Sequence, residues 1–284
     1  MGAIVWLASY PKSGNTWMRA FLTNLRRNGD EPAKINDLDG GPIASSRVRF
    51  DELTGIAASD LTSEEIEQLR PEVYERLAVE ATESLFLKVH DAYTYGGDGR
   101  PLLAAEGSRA LYLIRNPLDV AVSFAHHLNK DLDTAMDHMA DEKFAFASNT
   151  RKLSNQLRQR LLTWSAHVLS WVEAPIPVKV LRYEDMKLQP QETFTEAARF
   201  IGLPDEPARV AKALEFSDFK HLQRQEQEHG FRERSLKTKC FFREAGLGTW
   251  RRELTPEQAA CLIRQHRKVM QRFGYLNADE EPVF

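Results

Sequence analysis

The sequence has too few cysteines for a disulfide framework or a thiolate metal centre. It holds two in 284 residues, Cys240 and Cys261, at a separation that fits no metal or redox motif. Both are read as reduced thiols. No apolar run is long enough to span a bilayer. The start has no basic n-region, and Ala3 to Ala8 leads straight into a polar turn, so it is not read as a signal peptide. The expectation is a cytoplasmic protein with no membrane span. An excess of one charge is also missing. Lys and Arg number 38 against 41 Asp and Glu, a formal net charge of −3. That balance argues against a general nucleic-acid or membrane-surface binder, so any anion must be met locally. There is no internal repeat and no low-complexity tract. What remains, 42% hydrophobic and 28% charged, is a composition that buries a core. The length suits one α/β domain with insertions, or two small domains.

One more absence is specific. The turn Ser9-Tyr10-Pro11-Lys12-Ser13-Gly14-Asn15-Thr16 lies between an apolar run and a helical pattern. Ala3 to Ala8 reads as a buried strand, and Trp17, Met18, Phe21, Leu22 and Leu25 share one helix face. A strand, a tight turn and a helix N-terminus make an anion cradle. The turn resembles the phosphate-binding pattern G-x-x-x-x-G-K-[ST]. Gly14 and Thr16 keep their places, Ser9 replaces the first glycine, and Asn15 stands where the lysine belongs. The lysine has moved into the loop as Lys12. A phosphate ligand is expected, but not ATP with Mg²⁺, because the cation is not where a kinase needs it.

Strand and helix patterns alternate along the chain. Residues 30 to 60 read as a long loop, and such loops often bind ligands. Thr62 to Ala81 reads as a helix capped by Thr62 and broken or kinked at Pro71. Leu85 to Val89, Ala110 to Ile114 and Val178 to Leu181 read as strands. Gly96 to Gly99 is a turn. Asn116 caps a helix with Pro117 at its first position, running to about Leu128. A short helix is expected near Thr134 to Ala140. Leu157, Leu161, Trp164, Val168 and Val172 predict one long amphipathic helix ended by Pro175 and Pro177. Helices follow at Pro190 to Ile201 and 205 to 215, then mostly loop from 217 to 249 after a first helical stretch. Thr255-Pro256-Glu257-Gln258 is a capping box opening a last helix to Phe273, which Gly274 ends. Alternating elements predict a parallel sheet covered by helices, with ligands at the C-terminal ends of its strands.

Chemistry-bearing residues gather at that edge. Arg115 follows a strand and is either a bidentate anion ligand or the partner of Asp119. Ser123, on the next helix, offers a hydroxyl to the same anion or packs as a small residue. Lys88 and His90 are two apart on a strand and point the same way. They suit acid–base work beside growing negative charge, or else sit as a solvated lysine and a satisfied histidine. Two anion sites suggest a ligand with two separate phosphates. No aspartate follows a strand in the manner of a Mg²⁺ ligand, Asp91 and Asp185 being the nearest candidates.

These residues resemble a family, the sulfotransferases that use 3′-phosphoadenosine-5′-phosphosulfate (PAPS). Positions 10 to 17 look like the family's YPKSGTTW loop. Arg115 to Ser123 looks like RNPKDVAVS, Arg182 to Met186 contains the YEDM run, and Phe242 to Arg251 is similar to RKGxxGDWK. The motifs occur in the family's order across essentially the whole chain. The resemblance implies a P-loop NTPase-like three-layer α/β fold with a central parallel sheet flanked by helices. It implies one sulfotransferase domain, with acceptor-side insertions near 30–60, 91–105 and 130–155. It also implies roles. Lys12 meets the leaving phosphate oxygen, and Ser13, Gly14, Asn15 and Thr16 cradle the 5′-phosphate. Arg115, Ser123, Arg243 and Gly248 hold the 3′-phosphate. Trp17, Tyr183 and Phe219 pack on adenine with Ser217 at its edge, and Phe242 lies in the same donor-binding motif. Lys88-Val89-His90 is similar to the family's K-T-H, which makes His90 the base and Lys88 a stabiliser of the sulfuryl group. PAPS is then the co-substrate and 3′-phosphoadenosine-5′-phosphate (PAP) the product, with no metal.

The partner implied is a small molecule bearing a hydroxyl or amine, with no nucleic acid. An aromatic or natural-product hydroxyl is expected first, a glycan or lipid hydroxyl second. Tyr93, Tyr95, Phe124, His127, Phe144 and Phe146 are candidate acceptor-pocket residues. The pattern is departed from in several places. Asn15 replaces Thr, Glu244-Ala245 replaces Lys-Gly, Thr249 replaces Asp, and Asp91-Ala92 follows His90 in place of Leu-Pro. The animal enzymes' dimer motif is not evident, which leaves a homodimer open. The alternatives are a nucleotide or small-molecule kinase and a non-catalytic PAP-binding protein.

Overall fold

The computed structural model describes residues 3–103, 105–149, 152–234, 238 and 240–284. Residues 104, 150, 151, 235–237 and 239, which fall in the predicted loop stretches, lie outside the described residues. Among the described residues there are six strands: β1 (Ile4–Ser9), β2 (Leu85–Val89), β3 (Arg109–Ile114), β4 (Ala145–Phe146), β5 (Gln159–Arg160) and β6 (Val178–Arg182). Four of them form one sheet in the order β2-β1-β3-β6, and β4 pairs antiparallel with β5. The main sheet is parallel and flanked by helices. Every residue of β1 is buried, as expected of a parallel strand covered on both faces. Its register against β2 runs from Ile4 opposite Leu85 to Ala8 opposite Val89. One step further along that register, Ser9 meets His90.

The chain divides into two compact units. The first comprises Met1–Tyr10, Gly40–Tyr112 and Glu142–Val180. Its core is aromatic. Trp6 meets Tyr74 edge-on at 5.0 Å, and Trp171 packs against Tyr93 and Tyr112. The second comprises Pro11–Asp39, Leu113–Asp141 and Leu181–Phe284. Here the helix Asn15–Arg27 packs Phe21 and Trp17 on Phe194 at 4.5 and 5.1 Å. A further cluster of Ala20, Ile35, Leu38, Leu222, Phe231 and Phe242 takes Trp17, Phe219 and Phe241 against it.

Local signals placed most helix ends correctly. Thr62 and Glu65 form the capping box of Ser63–Glu80, Asn116 accepts from Leu118 N, and Thr255 and Gln258 cap Pro256–Arg272. Three expectations fail, wholly or in part. The predicted loop 30–60 contains a helix, Arg47–Thr54, capped by Ser46 and stopped by left-handed Gly55. Of the break or kink expected at Pro71, the break does not occur, because Ser63–Glu80 continues through it. Its buried face, which includes Ile66, Val73 and Tyr74, outweighs the ~3 kcal/mol that an interior proline costs. The long helix predicted from Leu157 begins only at Trp164, capped by Thr163. Leu157 and Leu161 are buried, but from extended chain around β5, with Leu162 at φ 58° between strand and helix.

Candidate active site

The turn after β1 takes the shape of an anion cradle. Gly14 precedes the helix Asn15–Arg27 at φ 96°, and its carbonyl accepts the first helical bond, from Met18 N at 3.1 Å. The N–H groups of that first turn have no acceptor within the helix, and the positive end of its dipole lies there too. Glycine is needed at this place twice over. Its φ is left-handed, and a Cβ would lie 2.8 Å from the Tyr183 ring. Lys12 also holds a positive φ, 73°. Ser13 is buried, and its Oγ has no hydrogen-bond partner.

Arg115 lies directly after β3, and both of its Nη atoms reach main-chain carbonyls. One Nη donates to Lys12 O at 3.1 Å, the other to Gly246 O at 3.2 Å. The guanidinium lies 4.4 Å from the Tyr183 ring centroid. The expected pair with Asp119 is present but long, 3.9 Å. Asp119 instead receives Gly248 N at 2.9 Å, Thr249 Oγ1 at 2.9 Å and Trp250 N at 3.0 Å. It thereby fixes the segment bearing Gly248. Ser123 is half-buried one turn beyond Asp119 on the same helix face. Arg115 Nε is buried without a partner. Two buried donors left over on adjoining segments, Ser13 Oγ and Arg115 Nε, are what a phosphate's oxygens satisfy.

The other residues of the second unit build a shelf beside this loop. Trp17 meets Tyr183 at 6.0 Å, and Phe219 meets Phe242 edge-on at 5.9 Å. Tyr183 OH donates to Ala245 O at 3.3 Å. Ser217 is buried at the end of Pro207–Phe216 and donates its hydroxyl to Ala213 O at 2.8 Å. Arg243 pairs with Glu253 at 3.2 Å, and the reversed charge at Glu244 is met by Arg252 at 2.6 Å. Two buried carboxylates had no role in the sequence reading. Glu184 accepts from Asn116 N at 3.0 Å and Tyr275 OH at 2.9 Å, joining β3's end to β6's end. Burial pushes it above the usual carboxylate range, although these bonds pull the other way. Glu226 accepts from the amides of Phe241 and Phe242 at 2.7 and 2.9 Å. No partner lies closer than 15 residues in the chain, so no local sequence signal points to either role.

Lys88 and His90 belong to the first unit. His90 Nδ1 lies 2.9 Å from Ser9 O. A carbonyl only accepts, so Nδ1 carries the proton and the basic lone pair is on Nε2. The His90 carbonyl receives His167 Nε2 at 3.1 Å. Asp91 pairs with Arg70 at 2.8 Å, both fully buried, and its carbonyl receives Trp171 Nε1 at 2.9 Å. Lys88 is held in register opposite Leu7, with its amide donating to Gly40 O. The two aspartates weighed as metal ligands are thus engaged elsewhere: Asp91 with Arg70, Asp185 with Arg182 at 2.9 Å. No cluster of His, Cys, Asp and Glu suited to a metal occurs among the described residues. No described helix is long and apolar enough to cross a membrane. Of the candidate acceptor residues, Phe124 and Tyr93 are buried and Tyr95 is exposed. Phe144 and Phe146 meet edge-on at 5.7 Å.

A model of the sulfotransferase domain matches residues 4–274. The chain is similar to cytosolic sulfotransferase 5 of Arabidopsis thaliana, 25% identical over 263 residues, covering 88% of this chain and 74% of the relative. It is similar to flavonol 3-sulfotransferase of Flaveria bidentis, 24% identical over 271 residues, covering 89% and 77%. Among solved structures, its fold resembles mouse sulfotransferase SULT7A1 complexed with PAP, with TM-score 0.60, 18% identity and coverage of 95% and 85%. It also resembles retinol dehydratase in complex with retinol and PAP, with TM-score 0.61, 17% identity and coverage of 94% and 81%.

Proposed function

The chain belongs to the sulfotransferase domain family, and we propose that it transfers the sulfuryl group of PAPS to a hydroxyl of a small-molecule acceptor. The observation that carries this reading is two buried, unsatisfied donors, Ser13 Oγ on the loop whose lysine stands at position 12 and Arg115 Nε directly after β3. The family span, residues 4–274, supports reading the chain as one sulfotransferase domain. The flavonol sulfotransferases among its relatives support an aromatic hydroxyl as acceptor, with walls from the stretches near 30–60, 91–105 and 130–155.

PAPS supplies an activated sulfuryl group on a phosphate leaving group. Ser13, Gly14, Asn15 and Thr16 hold the 5′-phosphate through the loop and first-turn amides. Arg115, Ser123, Arg243 and Gly248 hold the 3′-phosphate. Trp17, Tyr183, Phe219 and Phe242, with Ser217, receive the adenine. His90 Nε2 takes the acceptor's proton as the acceptor oxygen bonds to sulfur and the bond from sulfur to the bridging oxygen breaks. The electron pair of that bond leaves on the phosphate of PAP. Lys12 and the loop amides stabilise the charge growing there, and Lys88 neutralises the sulfuryl oxygens. Holding both reactants in line supplies much of the remaining acceleration.

Calorimetry tests the donor. PAP is expected to bind tightly without Mg²⁺, and ATP weakly with or without it. Tighter binding of ATP with Mg²⁺ overturns the reading in favour of a kinase. The acceptor is found by incubating the protein and PAPS with a library of phenols and alcohols and following the mass added by sulfation.

A further inference from the structure

Lys12 is braced at both ends. Its carbonyl receives Arg115, and its ammonium sits 4.2 Å from the centroid of the Phe241 ring. We propose that Phe241 is a positioning residue for Lys12: its ring face holds the ammonium at the loop, and Glu226 holds the ring in place. The inference rests on the sulfotransferase reading for its consequence, the placing of positive charge beside the donor's bridging phosphate oxygen.

A lysine on four rotatable bonds loses much of its catalytic value if its charge wanders. Ordering such a side chain costs rotamer entropy. An aromatic face attracts the ammonium and leaves its charge intact. Phe241 is suited to that task because it is fixed from several sides. Its amide donates to Glu226 Oε1 at 2.7 Å, and the next amide, of Phe242, donates to Oε2 at 2.9 Å. Gln223 Nε2 donates to Phe242 O at 2.8 Å. The Phe241 ring meets Phe231 edge-on at 4.9 Å and Phe242 at 5.0 Å. Glu226 itself is buried on the helix Phe219–His229, 3.9 Å from Arg234. Its two oxygens are engaged by backbone amides, which satisfies a buried carboxylate whose cation stands no closer than 3.9 Å. The same clamp sets the entry of Arg243, the next residue along.

The contact is read directly by reductive ¹³C-methylation of the lysines and NMR of the intact protein. Dimethyl-lysine keeps its positive charge. The Lys12 resonance, identified by its loss in Lys12→Arg, is expected upfield of the exposed lysines through the ring current. Phe241→Leu is expected to return it to the common position and Phe241→Tyr to leave it shifted. In turnover with PAPS, Phe241→Leu is expected to lower kcat about three- to tenfold with donor KM within about twofold, and Phe241→Tyr to restore it. A wild-type Lys12 resonance at the position of exposed lysines overturns the inference whatever the activity. So does a Phe241→Leu variant that loses kcat and PAP affinity in equal proportion, since the ring then serves the whole donor. If the wild type forms no sulfated product, the sulfotransferase reading fails, while the resonance still decides the contact.

Discussion

The carbonyl of Ser9 decides which nitrogen of His90 is basic. Because Nδ1 must donate to it, the lone pair sits on Nε2, the atom that the proposed mechanism uses as the base. His90→Ala is therefore expected to lower kcat by roughly 10²–10⁴ while PAP affinity, measured by calorimetry, stays near that of the wild type. Turnover at the wild-type rate would remove His90 from the chemistry. Gly14→Ala tests the cradle. A side chain there must hold φ 96° and displace Tyr183 from 2.8 Å. Left-handed strain alone costs about 1–3 kcal/mol, so a lower unfolding midpoint and weaker PAP binding are expected together. Retained PAP affinity would show that the turn adapts. The loop was legible from sequence because its signal is local: a displaced Lys12, Gly14 and a helix start within eight residues. What Arg115 does with its guanidinium was not legible, because Lys12 and Gly246 lie 103 and 131 residues from it. Glu226 was hidden for a related reason: backbone amides have no sequence signature.

At the scale of elements, caps were read well and long patterns poorly. Thr62, Asn116 and Thr255 each satisfy an amide within three residues, so the sequence names both partners. Leu157 and Leu161 share the helical period with Trp164, yet burial reaches them from β5 and its flanks. Periodicity records burial and not backbone shape when apolar positions are sparse. The helix Ser63–Glu80 shows how an element is tied to the site region. Its Arg70 meets Asp91, the residue after His90, and both Nε and an Nη reach Tyr74 OH. The family pattern resembled by this stretch has a leucine where Asp91 stands. Asp91→Asn removes one charge of a fully buried pair and is expected to destabilise by about 3–5 kcal/mol in urea unfolding. The double variant Arg70→Met, Asp91→Leu is expected to recover most of that loss, because an apolar pair owes no desolvation. A double variant no more stable than Asp91→Asn would mean that the pair supplies more than mutual neutralisation.

Across the whole molecule the alternation of strands and helices was plain in the sequence, and so was the parallel sheet. Its response to acid was not, because that depends on which histidines are buried. His167 lies in the first unit, with Nδ1 2.8 Å from Tyr112 OH and Nε2 on the His90 carbonyl. Burial pulls it from 6.5 down to about 4. His266, in the second unit, is likewise pulled by burial from 6.5 to about 4. Both are neutral in the native protein at pH values where the unfolded chain already binds their protons. Lowering the pH below about 6.5 therefore favours unfolding, and the stability at stake drains away down to about 4. At 1.36 kcal/mol per pKa unit each site is worth on the order of 3 kcal/mol. Glu184 acts in the opposite sense: burial raises it, so the native state takes up its proton first as the pH falls into the carboxylate range. One such group offsets part of two histidines. The urea midpoint is expected to fall steadily from pH 7 to pH 5, before most carboxylates titrate. His167→Gln and His266→Gln, which hold no proton to gain, should each show a shallower fall than the wild type. If the midpoints of both variants declined in parallel with that of the wild type, the acid sensitivity would have to arise from groups other than these two rings.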